Sequence, residues 1–135
     1  MAVFRIREAA ELLGVSDDTL RRWAEAGRVP TVTEGGRLAI EGAELARFAT
    51  ELAATAERPA IRAMASESAR NRLVGLVTRV VRDTVMAQVE MQAGPFRIVS
   101  LMSREAADEL GLQPGSLAVA SVKATNVVIE VPTDA

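Results

Sequence analysis

The sequence predicts an α+β chain of two domains, a winged helix-turn-helix followed by a small OB-like β-barrel. Three observations carry that expectation. The apolar period changes from helical to two near residue 70 of the 135. Before that point, two short helices, a Gly-Gly hairpin and a third helix follow one another. After it, five short β-type runs and one small helix share the remaining residues, which suits a compact barrel. The expected boundaries are 1–56 for the first domain, 57–66 for a connector and 67–135 for the second domain.

In the first helix Ile6, Ala9, Ala10 and Leu13 recur on one face, and Gly14-Val15 ends it. Ser16 is the N-cap of the next helix, with Asp17 and Asp18 in a first turn that favours negative charge. Leu20, Trp23 and Ala24 form its apolar face, Gly27 its C′ position, and Pro30 prevents continuation. Thr31-Val32-Thr33 and Arg37-Leu38-Ala39-Ile40 flank Glu34-Gly35-Gly36 as a small hairpin. Leu45, Phe48, Ala49 and Leu52 then make the stripe of a third helix, from about Glu41 to Ala54. This is the element order of a winged helix-turn-helix.

Phe4-Arg5-Ile6-Arg7-Glu8-Ala9-Ala10-Glu11-Leu12-Leu13-Gly14-Val15-Ser16, with Thr19-Leu20-Arg21-Arg22-Trp23 and Gly27-Arg28-Val29-Pro30, resembles the excisionase/MerR-type DNA-binding domains. The resemblance covers residues 4 to about 52. It implies that the second helix enters the major groove of duplex DNA and that the wing touches the flanking backbone. The DNA-facing set implied is Ser16, Asp18, Thr19, Arg21, Arg22, Arg28 and Arg37. The chemistry agrees, because Arg serves both phosphate and bidentate guanine contacts. Residues 1–60 nevertheless hold eight Arg against ten Asp or Glu. Affinity for DNA is largely phosphate neutralisation, so a lone net-acidic domain is expected to bind weakly and to need a second copy.

Pro59 ends the third helix, and the Ala-rich stretch around it reads as the connector. Leu73 to Val81 is a β-branched run turned by Arg82-Asp83-Thr84. Val85, Ala87, Val89 and Met91 alternate with polar or longer residues. Gly94-Pro95 leads into Phe96 to Leu101. Ser103 caps a short helix ending at Leu110 with Gly111 beyond, and Pro114-Gly115 is a type II turn. Leu117 to Lys123 and Val127 to Val131 are the last two expected strands.

Three pieces of this half resemble the Mop, or TOBE, molybdate-binding domain. They are Ser68-Ala69-Arg70-Asn71, the run from Ser103-Arg104-Glu105-Ala106 to Pro114-Gly115, and Val122-Lys123-Ala124-Thr125-Asn126-Val127. The resemblance spans about residues 66 to 131. It implies a barrel completed by strand exchange, a homo-oligomer (at least a dimer, or a larger ring such as a hexamer), and an oxyanion held at subunit boundaries. By position, the implied ligands are Ser68, Ala69 through its N–H, Arg70, Lys123, Ala124 and Thr125, with Ser103 contributed by a facing subunit. A tetrahedral dianion needs donors on every side, and charge-assisted bonds are the strong ones. Lys123 is the only Lys in the chain.

Cys and His are both absent. That removes disulfides, thiolate metal sites, and the commonest general base and transition-metal ligand. No catalytic constellation stands out, so no enzyme, no organic cofactor and no metal cation are expected. No apolar run reaches the roughly 20 residues that span a bilayer, and the N-terminus lacks a signal-peptide pattern. A cytoplasmic protein without membrane contact is expected. The leading expectation is a molybdate- or tungstate-responsive DNA-binding regulator. The alternatives are a molybdate storage oligomer with a vestigial first domain, and a constitutive DNA binder dimerised by its β domain.

Overall fold

The computed structural model describes residues 2–56 and 70–133. The chain divides into two compact units, Met1–Arg58 and Pro59–Ala135. Each has its own sheet.

The first unit begins with a strand that the local pattern does not announce, β1 (Val3–Arg5), which pairs antiparallel with β3 (Arg37–Glu41). Between them run α1 (Ile6–Leu13), α2 (Asp17–Glu25) and β2 (Val32–Glu34), and the sheet order is β1-β3-β2. α1 stops at Gly14, which is left-handed, and the Val15 N–H closes on the Ala10 carbonyl at 3.0 Å. Ser16 Oγ then accepts from the Thr19 N–H at 3.1 Å and opens α2. The β2–β3 loop is Gly35-Gly36, with φ of 58° and 76°. Two successive positive φ values match the hairpin turn whose twist suits its strands, so this pair fixes the wing.

α3 (Gly42–Thr55) closes the unit. Ile6, Ala9, Ala10, Leu20, Val29, Ile40, Leu45 and Phe48 form one buried cluster. Phe48 is fully buried and meets Trp23 edge-on, with centroids 5.5 Å apart and planes at 75°. Losing such an aromatic costs about 3–5 kcal/mol, a large share of what a domain this small has. Ala49, expected in the apolar stripe, is exposed; the helix buries a narrower face.

The second unit holds β4 (Asn71–Arg82), β5 (Met86–Ala93), β6 (Phe96–Ser103), α4 (Arg104–Glu109) and β7 (Leu117–Val122), followed by a 3-10 turn at Ala124–Asn126. The sheet is antiparallel in the order β6-β5-β4-β7. β4 serves both neighbours by bending at a bulge between Val77 and Arg79. Gly75 makes the bend possible: a Cβ there would run into the backbone carbonyl of Gln92. The sheet curls around an apolar trough of about 480 Å³ lined by Val77, Val89, Met91, Ile98, Leu117 and Val119 among others.

Two expectations for this half need correcting. Val127 to Val131 is not a strand: it has no ladder partner, and Val128, Ile129 and Val131 are 80, 81 and 83% exposed. β-branched residues favour a pleated, half-buried setting, and among the described residues no sheet edge meets this segment. The described residues therefore form an open half-barrel of four strands, with β6 and β7 as its edges. Val85 belongs to the β4–β5 turn and is 67% exposed, so the buried face of β5 is Ala87, Val89, Met91 and Ala93.

Candidate functional site

Each unit brings one set of polar groups together. In the first, a cleft of about 550 Å³ is lined by Arg5, Ile6, Arg7, Glu8, Arg21, Arg37 and Leu38. It lies where the end of β1, the start of α1, the face of α2 and the wing converge. Arg21 and Arg37, both in the expected DNA-facing set, are there.

The other members of that set are engaged locally. Ser16 Oγ and Thr19 Oγ1 lie 2.9 Å apart within the helix cap, and Arg22 Nη2 donates to Thr19 Oγ1 at 3.4 Å. Asp18 sits in the first turn of α2, as does Asp17. Arg28 places its guanidinium 5.0 Å from the Trp23 ring centre and 5.4 Å from that of Phe48, a cation–π clasp over the edge of the core. Arg5 and Arg7 were not singled out from the sequence. The signal available for Arg5 was its place just before α1, but only the β1–β3 pairing brings it to the wing.

In the second unit, Asn71 pairs with Val122, and Asn71 Nδ2 donates to the Val122 carbonyl at 3.1 Å. This register sets Arg70 and Lys123, one residue further out on each strand, side by side at one end of the sheet. Lys123 leads into the 3-10 turn, where its carbonyl accepts from the Asn126 N–H at 2.9 Å. Ala124 and Thr125 are the first residues of that turn, so their N–H groups have no partner within it. Arg70, Lys123, Ala124 and Thr125 are all exposed. A guanidinium, an ammonium, a hydroxyl and two amides thus share an open surface suited to an oxyanion. Ser68 and Ala69 lie outside the described residues, as does the connector 57–66.

Ser103 is elsewhere. It pairs with Met86, at the end of the sheet where β4 finishes, about 35 Å of strand away from Asn71 at roughly 3.3 Å per residue. Its Oγ accepts from the Ala106 N–H at 3.1 Å as the N-cap of α4. Within one chain, Ser103 and Lys123 therefore stand at opposite ends of the sheet. Around Ser103 the turn is firmly built. Asp83 Oδ1 accepts from the Val85 and Met86 N–H groups at 2.7 and 2.6 Å, and Arg104 Nη1 donates to the Asp83 carbonyl at 3.1 Å. Those amide bonds hold the Asp83 carboxyl below its usual pKa, and on β5 the Arg97 guanidinium, 2.6 Å away, does the same for Glu90.

Among the described residues no cluster of three or more acidic, His or Cys side chains could hold a metal ion, and no helix is long and apolar enough to cross a membrane.

Comparison with known proteins agrees with this division. Residues 67–129 match the model of the TOBE domain, and residues 3–53 match that of a helix-turn-helix domain. Molybdenum-pterin-binding protein 2 of Clostridium pasteurianum is 40% identical over 65 residues, which make up 47% of this chain and 96% of that protein. Molybdenum-pterin-binding protein 1 of the same organism is 37% identical over the same shares. Among solved structures, a molybdate-binding protein from Sporomusa ovata is 31% identical, covering 50% of this chain and all of that one, with a TM-score of 0.48. The cytoplasmic molybdate-binding protein ModG, with molybdate bound, is 40% identical over 50% of this chain and 49% of its own, also with a TM-score of 0.48. The chain belongs to the TOBE-domain family, and it carries a helix-turn-helix domain ahead of that domain.

Proposed function

We propose that this protein is a molybdate- or tungstate-responsive transcription regulator. The first unit, of excisionase/MerR type, reads duplex DNA; the second senses the oxyanion and holds a homo-oligomer together. It works as a non-enzymatic switch in the cytoplasm. The observation that carries the reading is the Asn71–Val122 register, which sets Arg70 beside Lys123 and the amides of the 3-10 turn. Ser68, Ala69, Arg70, Lys123, Ala124 and Thr125 form one side of the anion site, and Ser103 of a second copy completes it. The half-site's exposure, the distance to Ser103 and the unpaired apolar tail all favour assembly. The molybdenum in the names of its curated relatives supports the choice of a molybdenum oxyanion.

Isothermal titration with molybdate, tungstate and sulfate tests the site. Molybdate or tungstate should bind, sulfate should bind more weakly, and Lys123→Ala should weaken binding by one to two orders of magnitude, as loss of a charge-assisted bond of roughly 1.5–3 kcal/mol implies. Equal affinity in the variant would place the site elsewhere.

A second reading, a molybdate-storage oligomer whose first unit no longer binds DNA, draws on the two carboxylates in the first turn of α2 and the net acidity of residues 1–60. The two differ in a mobility shift with salt titration. The regulator shows salt-dependent retardation of duplex DNA and the storage protein shows none.

A further inference from the structure

The seven described arginines of the first unit sort into two groups. Arg22 is bonded to Thr19, Arg28 is stacked on Trp23 and Phe48, and Arg47 is held between Glu44 and Glu51. Arg7 has only a distant, solvent-exposed pairing with Glu11 at 3.8 Å. Among the described residues, Arg5, Arg21 and Arg37 have no carboxylate within ion-pairing distance. All three of these, with Arg7, line the same cleft, where Glu8 is the one acid.

Arg5 reaches this place by an unusual route. It ends β1, paired with Ala39 of the wing strand. Its Nη2 lies 3.7 Å from where a Cβ of Gly35 would stand, so its side chain crosses onto the wing turn. Arg5 is half-buried there, and Gly35 places no side chain against its guanidinium. In a chain that is net −2, unpaired guanidinium groups gathered at one cleft repel one another unless an anion comes between them.

We infer that Arg5, with Arg21 and Arg37, forms a clamp for the sugar-phosphate backbone of duplex DNA, seated between α2 and the wing, in which Arg5 supplies a phosphate contact of its own. The inference rests on the DNA-binding reading above and adds to it a residue outside the helix-turn-helix and the wing hairpin. Since phosphate contacts carry no base information, Arg5 contributes affinity and register, while the choice of sequence stays with α2.

The test is the salt dependence of binding by the full chain to a mixed-sequence duplex, followed by fluorescence anisotropy. Each phosphate contact adds about 0.9 to the slope of log K against log salt. Arg5→Ala should therefore flatten the slope by about 0.9 and weaken binding to duplexes of different sequence alike. Arg5→Lys should keep the slope, which guards against misfolding of the Ala variant. Arg47→Ala, outside the cleft, should match the wild type. An unchanged slope in Arg5→Ala, with salt-dependent binding by the wild type, overturns the clamp and leaves the DNA-binding reading standing. A wild type with no salt-dependent binding overturns both. Inorganic phosphate added at constant ionic strength should compete only feebly; strong binding of free phosphate with no duplex binding would make the cleft a small-anion site and contradict the clamp.

Discussion

Asp83 turns β4 into β5 with two short amide hydrogen bonds to a single carboxylate oxygen. Its pKa is lowered by those bonds, first Met86 and then Val85, and that of Glu90 by the Arg97 hydrogen bond. A carboxylate whose folded pKa lies below its unfolded value stabilises the fold fully above the unfolded pKa, near 4, and loses that contribution as pH falls through the folded one. Thermal melts should therefore hold steady from neutral pH down to about 5 and fall below about 4. Asp83→Asn should melt lower at neutral pH and show a shallower acid decline. If that variant kept the full acid slope, Asp83 would not be a source of it.

At the scale of elements, legibility followed the range of the interactions. The helix ends of the first unit are written in adjacent residues: the Ser16 cap bonds three residues away, and Gly14 and Gly27 take the positive φ that ends a helix. The Gly35-Gly36 wing is equally local. β1 is not, because Val3-Phe4-Arg5 is a strand only through β3, more than thirty positions later; with it went Arg5. Val127 to Val131 shows the converse. Its composition reads as a strand, yet a strand needs an edge, and among the described residues none reaches it. The two halves of the proposed anion site were legible as separate motifs; the adjacency of Arg70 and Lys123 comes from the β4–β7 register. On the proposed assembly, the exposed tail finds that edge on a second copy. Ile129→Asp should then raise the dissociation constant of the oligomer roughly 10- to 100-fold, the equivalent of about 1.5–3 kcal/mol of lost burial. Sedimentation analysis reads this directly, and an unchanged oligomer would remove the tail from the interface.

For the molecule as a whole, charge is distributed in a way its net value of −2 conceals. Among the described residues, the first unit's arginines without a carboxylate, hydroxyl or ring partner gather at one cleft, and the only Lys stands beside Arg70 at one end of the second unit's sheet. Both sites suit oxyanions, one on a polymer and one free. A regulator needs them coupled, and coupling is reciprocal: an anion that changes DNA affinity by some factor has its own affinity changed by DNA in the same proportion. The most direct measurement is the affinity of the intact chain for a duplex recovered from a random-sequence pool, with and without saturating molybdate. A switch of ordinary strength predicts a change of roughly 5- to 150-fold, absent in Lys123→Ala although that variant binds the duplex normally without molybdate. The same affinity in the presence and absence of molybdate would contradict the proposal that this protein is an oxyanion-responsive regulator.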